Sequence, residues 1–175
     1  MSESFAEVRP LGAADLPDYK ALRDEMLLAH PEAFTSDAAA EQRKEPAEYL
    51  RRLGLGRPDG GHFVLGARRG PRLVGAIGCE RDLRTKVRHL GHVIGMMVRP
   101  EARGQGVGRA LLDACIGQAR RAGLEMLTLN VTAGNVPAIA LYESSGFVTC
   151  GRVPRAIKVG AVYHDKLHMA LDLPR

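Results

Sequence analysis

Between Arg99 and Gly123 the chain reads RPEARGQGVGRALLDACIGQARRAG: three glycines, Gly104, Gly106 and Gly108, set among arginines. The run before them, VRHLGHVIGMMV, is apolar and β-branched and predicts a strand. After them, Leu111, Leu112, Cys115, Ile116 and Ala119 recur at helical spacing from Val107 to Ala122, with Gly123 as the expected stop. EMLTLNV then predicts another strand. A strand–helix–strand crossing of this length favours parallel pairing. HFVLGAR and RLVGAIGCE, joined by RGP, instead predict an antiparallel hairpin. The two requirements together call for a mixed sheet with helices on its faces.

The flanking segments fill out this α/β (α+β) plan. FAEVRPL, residues 5–11, predicts a first strand. DLPDYKALRDEMLLAH follows as a helix with Leu16, Tyr19, Leu22, Met26 and Leu27 on one stripe, Asp15 as N-cap and Pro17 in the first turn. PEAFTSDAAAEQRKEP reads as a polar stretch without an element, and AEYLRRL as a short helix. NVPAIALYESS predicts a helix opened by Pro137 and closed by Gly146, and FVTCGRV and VYHDKLHMALDL predict closing strands. The expectation is one domain over residues 1–175, with six to seven strands and about four helices.

Composition narrows the function classes. Apolar residues make up 45% and charged residues 26% of the 175 residues, ordinary globular values. No apolar run approaches the ~18 residues of a membrane span, and the first residues lack a signal-peptide pattern, so a cytoplasmic protein with no membrane partner is expected. Cys79, Cys115 and Cys150 are scattered and odd in number, and are read as small buried hydrophobes rather than a disulfide framework. The net charge of +5 comes mostly from arginine, with lysine scarce, a bias expected of a GC-rich bacterial genome. A basic surface attracts nucleic acid or polyphosphates. With 5% aromatics, no tryptophan and no nucleic-acid-binding motif, the chain is read as having no nucleic-acid partner. His164 and His168 would share a strand face but sit too far apart to favour a metal site, and no metal is expected.

Three costly glycines before a helix need a reason. A helix N-terminus carries free N–H groups and a positive dipole end, and glycines let backbone amides approach a phosphate. Arg103 and Arg109 flank the turn and would add charge. The dinucleotide fingerprint requires glycine where Arg109 stands, and no G-K-[ST] of a P-loop is present. The spacing is R-x-x-G-x-G from Arg103 to Gly108; a turn serving only packing is the plainer alternative.

From His89 to Phe147 the chain resembles the GNAT superfamily of acetyl-CoA-dependent N-acetyltransferases. The resemblance rests on MMVRPEARGQGVG before an amphipathic helix, the strand LTLNV, the asparagine-initiated helix NVPAIALY, and LYESSGF. It implies that the pantetheine arm of acetyl-CoA lies between His89–Val98 and Glu125–Val131, splayed at a β-bulge. Met96, Met97 and Val98 would supply backbone groups, with the Met96 amide polarising the thioester carbonyl. The amides of Gly104, Gln105, Gly106, Val107, Gly108 and Arg109 would hold the pyrophosphate. Asn135 matches the asparagine that contacts the cofactor arm, and capping the helix is an equal reading. Tyr142 matches the general acid, against the alternative of a core aromatic. Residues 12–60 would shape the acceptor site.

The resemblance implies transfer of the acetyl group to a primary amine on a small molecule or a protein. The alternative on the same fold is a non-catalytic acyl-CoA sensor, which Tyr142 disfavours. Homodimers are frequent in the family. For the base, strand alternation puts His92, Ile94, Met96 and Val98 on one face. An imidazole, with an ordinary pKa near ~6.5, suits that task. Some relatives carry a glutamate here, and a purely structural role for His92 is an equal reading; His89 falls on the other face. Arg152, Arg155 and Lys158, placed between the last two strands, would suit a carboxylate-bearing amine or simply a solvated loop.

Overall fold

The β-branched runs do form strands and the apolar stripes do form helices. The computed structural model describes residues 6–57 and 60–174, and its strands make one seven-stranded sheet. β1 (Glu7–Pro10), β2 (Phe63–Arg69), β3 (Arg72–Arg81) and β4 (Leu90–Val98) pair antiparallel in sequence order. β5 (Met126–Thr132) runs parallel to β4, and β6 (Val148–Val159) and β7 (Val162–Asp172) complete the order β1-β2-β3-β4-β5-β7-β6. The α-helices are α1 (Leu16–Ala29), α2 (Ala38–Gln42), α3 (Val107–Arg121) and α4 (Val136–Ser144), with a 3-10 helix over Pro46–Leu53. The mixed sheet with four α-helices is the expected architecture.

Each face of the sheet buries its own core. The stripe of α3 packs Leu111, Leu112 and Cys115 onto Ile77, Val93, Leu127 and Met169. On the other face, α1 and the 3-10 helix bring Tyr19, Leu22, Met26, Tyr49 and Leu53 onto Ala76 and Met97. Leu111 and Leu112 are fully buried, where truncation to alanine costs about 2–5 kcal/mol.

Local details correct the sequence reading at five points. Asp15 stands at the N-cap position of α1 but makes no side-chain capping hydrogen bond. Its carboxylate accepts from both Arg9 Nη atoms at 2.8–2.9 Å, from Arg68 Nη2 at 2.8 Å and from the Gly12 amide at 2.8 Å, and this holds its pKa far below the usual carboxylate range. The polar stretch contains α2, capped by Asp37 Oδ1 accepting from the Ala40 amide at 2.8 Å. AEYLRRL forms the expected short helix, of the 3-10 type. Cys150 is exposed, because β6 is the edge strand; Cys79 and Cys115 are buried as expected. Arg152, Arg155 and Lys158 lie on β6 itself, not in a loop. Arg152 Nη2 pairs with Asp165 at 2.6 Å, and Arg155 and Lys158 sit over the Tyr163 ring.

The fifth correction positions the site. Ala76 pairs with Met97 but Gly78 pairs with Ile94, so Ile77 faces both Gly95 and Met96. This is a β-bulge, permitted by Gly95 at φ 57°. The extra residue inverts the alternation beyond it. Val93, Met96 and Val98 pack on the α3 side, whereas His92 and Met97 face the α1 side. His92 therefore does not share a face with Met96 and Val98.

Candidate active site

The bulge opens the sheet. β4 and β5 pair only through Leu90–Met126, Gly91–Leu127 and His92–Thr128, and beyond them the two strands diverge. The gap leads into a cavity of about 620 Å³ lined by Met96, Met97 and Val98 from β4, Asn135, Ala138, Leu141 and Tyr142 around α4, and Met26, His30 and Phe34 from the α1 side. At one end lie Arg103, Gly104 and Gly108. The loop there is shaped by Gly104 at φ 71° and Gly106 at φ 78°, and Gly106 caps α3 without a side-chain hydrogen bond. Among the described residues, the amides from Gly104 to Arg109 have no backbone acceptor. They form a cluster of donors at a helix N-terminus, suited to a phosphate.

The flanking arginines behave differently. Arg103 lines the cavity, with Nε donating to the Val98 carbonyl at 3.0 Å and Nη2 at 2.9 Å from His30 Nε2. Arg109 turns its guanidinium to α4, donating to Ser145 Oγ at 2.6 Å and to Ser144 Oγ. Its side chain is thus engaged in helix packing, contrary to the expected charge over the turn, while its amide remains in the cluster. The Val107 side chain is core, and Gln105 Nε2 donates to the Glu101 carbonyl at 2.9 Å, so these residues offer the site only their amides.

Tyr142 also lines this cavity. Its ring is 6% exposed and packs edge-on against Phe147 at 5.8 Å. Burial, reinforced by Cys115, pushes its pKa up to about 12, so the phenol keeps its proton at neutral pH. The hydroxyl makes no hydrogen bond among the described residues, and Tyr142 lines two adjoining cavities. Asn135 caps α4, Oδ1 accepting from the Ala138 amide at 3.3 Å, and the residue also lines both cavities.

The second cavity, about 330 Å³, opens on the α1 face of the sheet. Met96, Thr132, Asn135, Ala138 and Tyr142 line both spaces, so the two cavities adjoin beside the bulge. Its polar lining is Glu80 on β3, Asn130 on β5, Lys166 on β7, and Arg23, Ser36 and Arg52 from the roof, set beside apolar residues such as Ile94 and Leu129. The roof is braced by a buried cluster. Arg23 Nε donates to Glu41 at 2.7 Å, Arg23 Nη2 to Ser36 Oγ at 2.8 Å and Tyr49 Oη to Glu41 at 2.7 Å, with Lys44 also paired to Glu41. Burial opposes ionisation of Glu41, but hydrogen bonds from Lys44, Tyr49 and Arg23 outweigh it and bring its pKa down to about 2.

His92 lines neither cavity. It is exposed, opposes Glu80 across β3 and β4, and places Nδ1 2.6 Å from Thr128 Oγ1. Glu80, Lys166, Arg52 and the Arg23–Glu41 brace were missed in the sequence. Only alternation around Cys79 and Leu167 hinted that Glu80 and Lys166 face away from the α3 core. Among the described residues there is no cluster of histidine, cysteine or acidic side chains arranged for a metal ion, and no helix is long and apolar enough to cross a membrane.

A sequence model of the acetyltransferase (GNAT) family matches residues 19–147. The L-methionine sulfoximine/L-methionine sulfone acetyltransferase of Pseudomonas aeruginosa is 27% identical, covering 96% of this chain and 95% of its own. The mycothiol acetyltransferase of Geodermatophilus obscurus is 43% identical over 58 residues, 33% of this chain but only 19% of that protein's length. Among solved structures, a phosphinothricin acetyltransferase of the GNAT superfamily from Sinorhizobium meliloti, in complex with acetyl-CoA, superposes with a TM-score of 0.83 at 23% identity. That match covers 97% of this chain and 89% of the other.

Proposed function

From the premise that this chain belongs to the acetyltransferase (GNAT) family, we propose that it is an acetyl-CoA-dependent N-acetyltransferase acting on a primary amine. One observation carries the reading: the opening between β4 and β5 joins a cluster of unpaired amides at one end to Tyr142 and an adjoining polar cavity. The residues present fit acetyl-CoA. The amides from Gly104 to Arg109 take the pyrophosphate, with Arg103 adding charge. Met96, Met97 and Val98, on the β4 edge that β5 leaves unpaired, receive the pantetheine arm as an added strand would be received.

Acetyl-CoA supplies the acetyl group as a thioester: the amine N–C bond forms, the C–S bond breaks, and the products are the N-acetyl acceptor and the CoA thiol. The Met96 amide, at the bulge, donates to the carbonyl oxygen as negative charge develops there. Tyr142, protonated and without another partner, donates to the departing sulfur and is reprotonated from solvent. The acceptor enters from the second cavity and must shed a proton before attack, because an alkylammonium has no lone pair. His92 takes that proton through solvent on the face it shares with Glu80, while Thr128 fixes its ring.

The test is CoA thiol release from acetyl-CoA with a mixed panel of amines and peptides. Amine-dependent release above the hydrolytic background is expected, with mass spectrometry showing an acetylated amine. Tight acetyl-CoA binding with no release for any amine would point instead to a sensor.

A further inference from the structure

The acceptor cavity is positively biased in a way that the amine chemistry alone does not require. Arg23 is neutralised by Glu41, which leaves Lys166 and Arg52 against the single carboxylate of Glu80. Arg52 rests over the Tyr49 ring. Among the described residues, neither Lys166 nor Arg52 has a carboxylate partner, and Glu80 has no cation. Lys166 projects from β7, opposite Thr132 of β5, beside the stretch where β4 and β5 have separated. It is partly buried, and that desolvation lowers its pKa. A desolvated ammonium without a counter-ion is unfavourable until an anion joins it.

Glu80 lies at the far end of the same cavity. Three strand spacings separate β3 from β7 where the sheet is paired, roughly 14 Å, and Lys166 lies past the last β4–β5 pair, so one small molecule does not bridge the two backbones. The cavity is thus polarised, with its cationic end at β7 and its anionic end at β3, the bulge of β4 lying between them. A simple alkylammonium or a polyamine entering this space meets net repulsion. A molecule that carries its own carboxylate next to the amine does not, and the field orients it.

We propose that the acceptor is a small amino acid-type zwitterion, with Lys166, assisted by Arg52, receiving its carboxylate while its amine faces the thioester. This rests on the N-acetyltransferase reading. The amine loses one proton before attack and one after the N–C bond forms, and the carboxylate is unchanged by the reaction. Lys166 is a specificity residue: it binds the acceptor and touches no reacting atom.

The experiment compares each common L-amino acid with the amine that lacks its carboxylate, spermidine serving as the polycation, by initial rates of CoA thiol release. At least one amino acid is expected to exceed its matched amine tenfold or more in kcat/KM. Lys166→Met is expected to raise that amino acid's KM at least tenfold with a smaller change in kcat, and Lys166→Arg to restore it. Calorimetric binding of the same amino acid to the CoA-bound protein should weaken in parallel. Matched amines or spermidine used as well as the amino acids would overturn the proposal and leave the N-acetyltransferase reading intact, as would a KM indifferent to Lys166→Met. No release with any compound would overturn both.

Discussion

The two sides of β4 offer different atoms to the ligands we propose. On the α3 side the contacts offered are backbone: amides from Gly104 to Arg109, and the strand edge left open beyond His92. On the α1 side they are side chains drawn from distant parts of the chain: Glu80, Lys166, Arg52 and the Arg23–Glu41 brace. A backbone site requires glycine at fixed positions and a helix start just after them, so it prints a spacing in the sequence. A side-chain site assembled across four strands and a roof leaves no spacing, and its residues are free to differ wherever the acceptor differs.

The largest expected effect lies where the two sides meet. Tyr142→Phe keeps the ring that packs on Phe147, so stability should hold. The kcat should fall by roughly 10²–10⁴-fold, with little change in acetyl-CoA affinity. Near-wild-type turnover would remove Tyr142 from the chemistry.

Arg23→Met addresses the side-chain half. It strips a hydrogen-bond donor from Glu41 inside the roof, and breaking a buried pair costs about 3 kcal/mol, a fall in Tm of roughly 10 °C for a chain of this size. The pH dependence follows with its sign. The Glu41 carboxyl titrates at about 2 when folded, below its ordinary value of 4.5. Its contribution is therefore complete above about pH 4.5 and drains as pH falls toward 2. Glu41→Gln should flatten that acid limb of the stability curve; an unaltered limb would mean that other carboxylates govern it.

Legibility in the sequence follows the same division. The glycine turn, the stripe of α3 and the succession of elements along the chain were readable because each is a local pattern. The bulge came only with the family resemblance, and its position did not: VIGMM keeps the look of an alternating strand, and only a glycine inside it hints that one residue with positive φ will invert everything after it. That single residue is why His92 was read onto the face of Met96. Asp15 holds the expected N-cap position without capping through its side chain, for another reason. Its residue type and position suited a cap, but Arg9 and Arg68, brought close by β1 and β2, compete more strongly for its carboxylate. The run AAAEQ after Asp37 was a helix signal passed over within a polar stretch. Glu80 and Lys166 carried no signal beyond alternation, since only the pairing of β3, β4, β5 and β7 sets them on one face.

Smaller effects sharpen the contrast. Gly106→Glu places a like charge at the phosphate end and a side chain at φ 78°. Acetyl-CoA affinity should drop about tenfold or more, ~1.4 kcal/mol, in a protein that still folds. Unchanged calorimetric affinity would move the pyrophosphate elsewhere. The smallest shift is expected for His92→Gln, because His92 lies outside both cavities and acts through solvent. The acidic limb of the kcat/KM pH profile should move while kcat at high pH changes little. A profile that stays in place would make His92 a partner of Thr128 only.

The central claim is that the opened edge of β4 and the glycine turn hold acetyl-CoA. Thermal unfolding tests it most directly, with acetyl-CoA, NAD and ATP each added at the same concentration. A ligand bound only by the folded chain stabilises it by about 2.7 kcal/mol at one hundred times its Kd, a rise in Tm of roughly 5–10 °C here. Acetyl-CoA should give such a rise, NAD and ATP far less, and Gly106→Glu should shrink it. NAD or ATP stabilising the protein as much as acetyl-CoA would contradict the account.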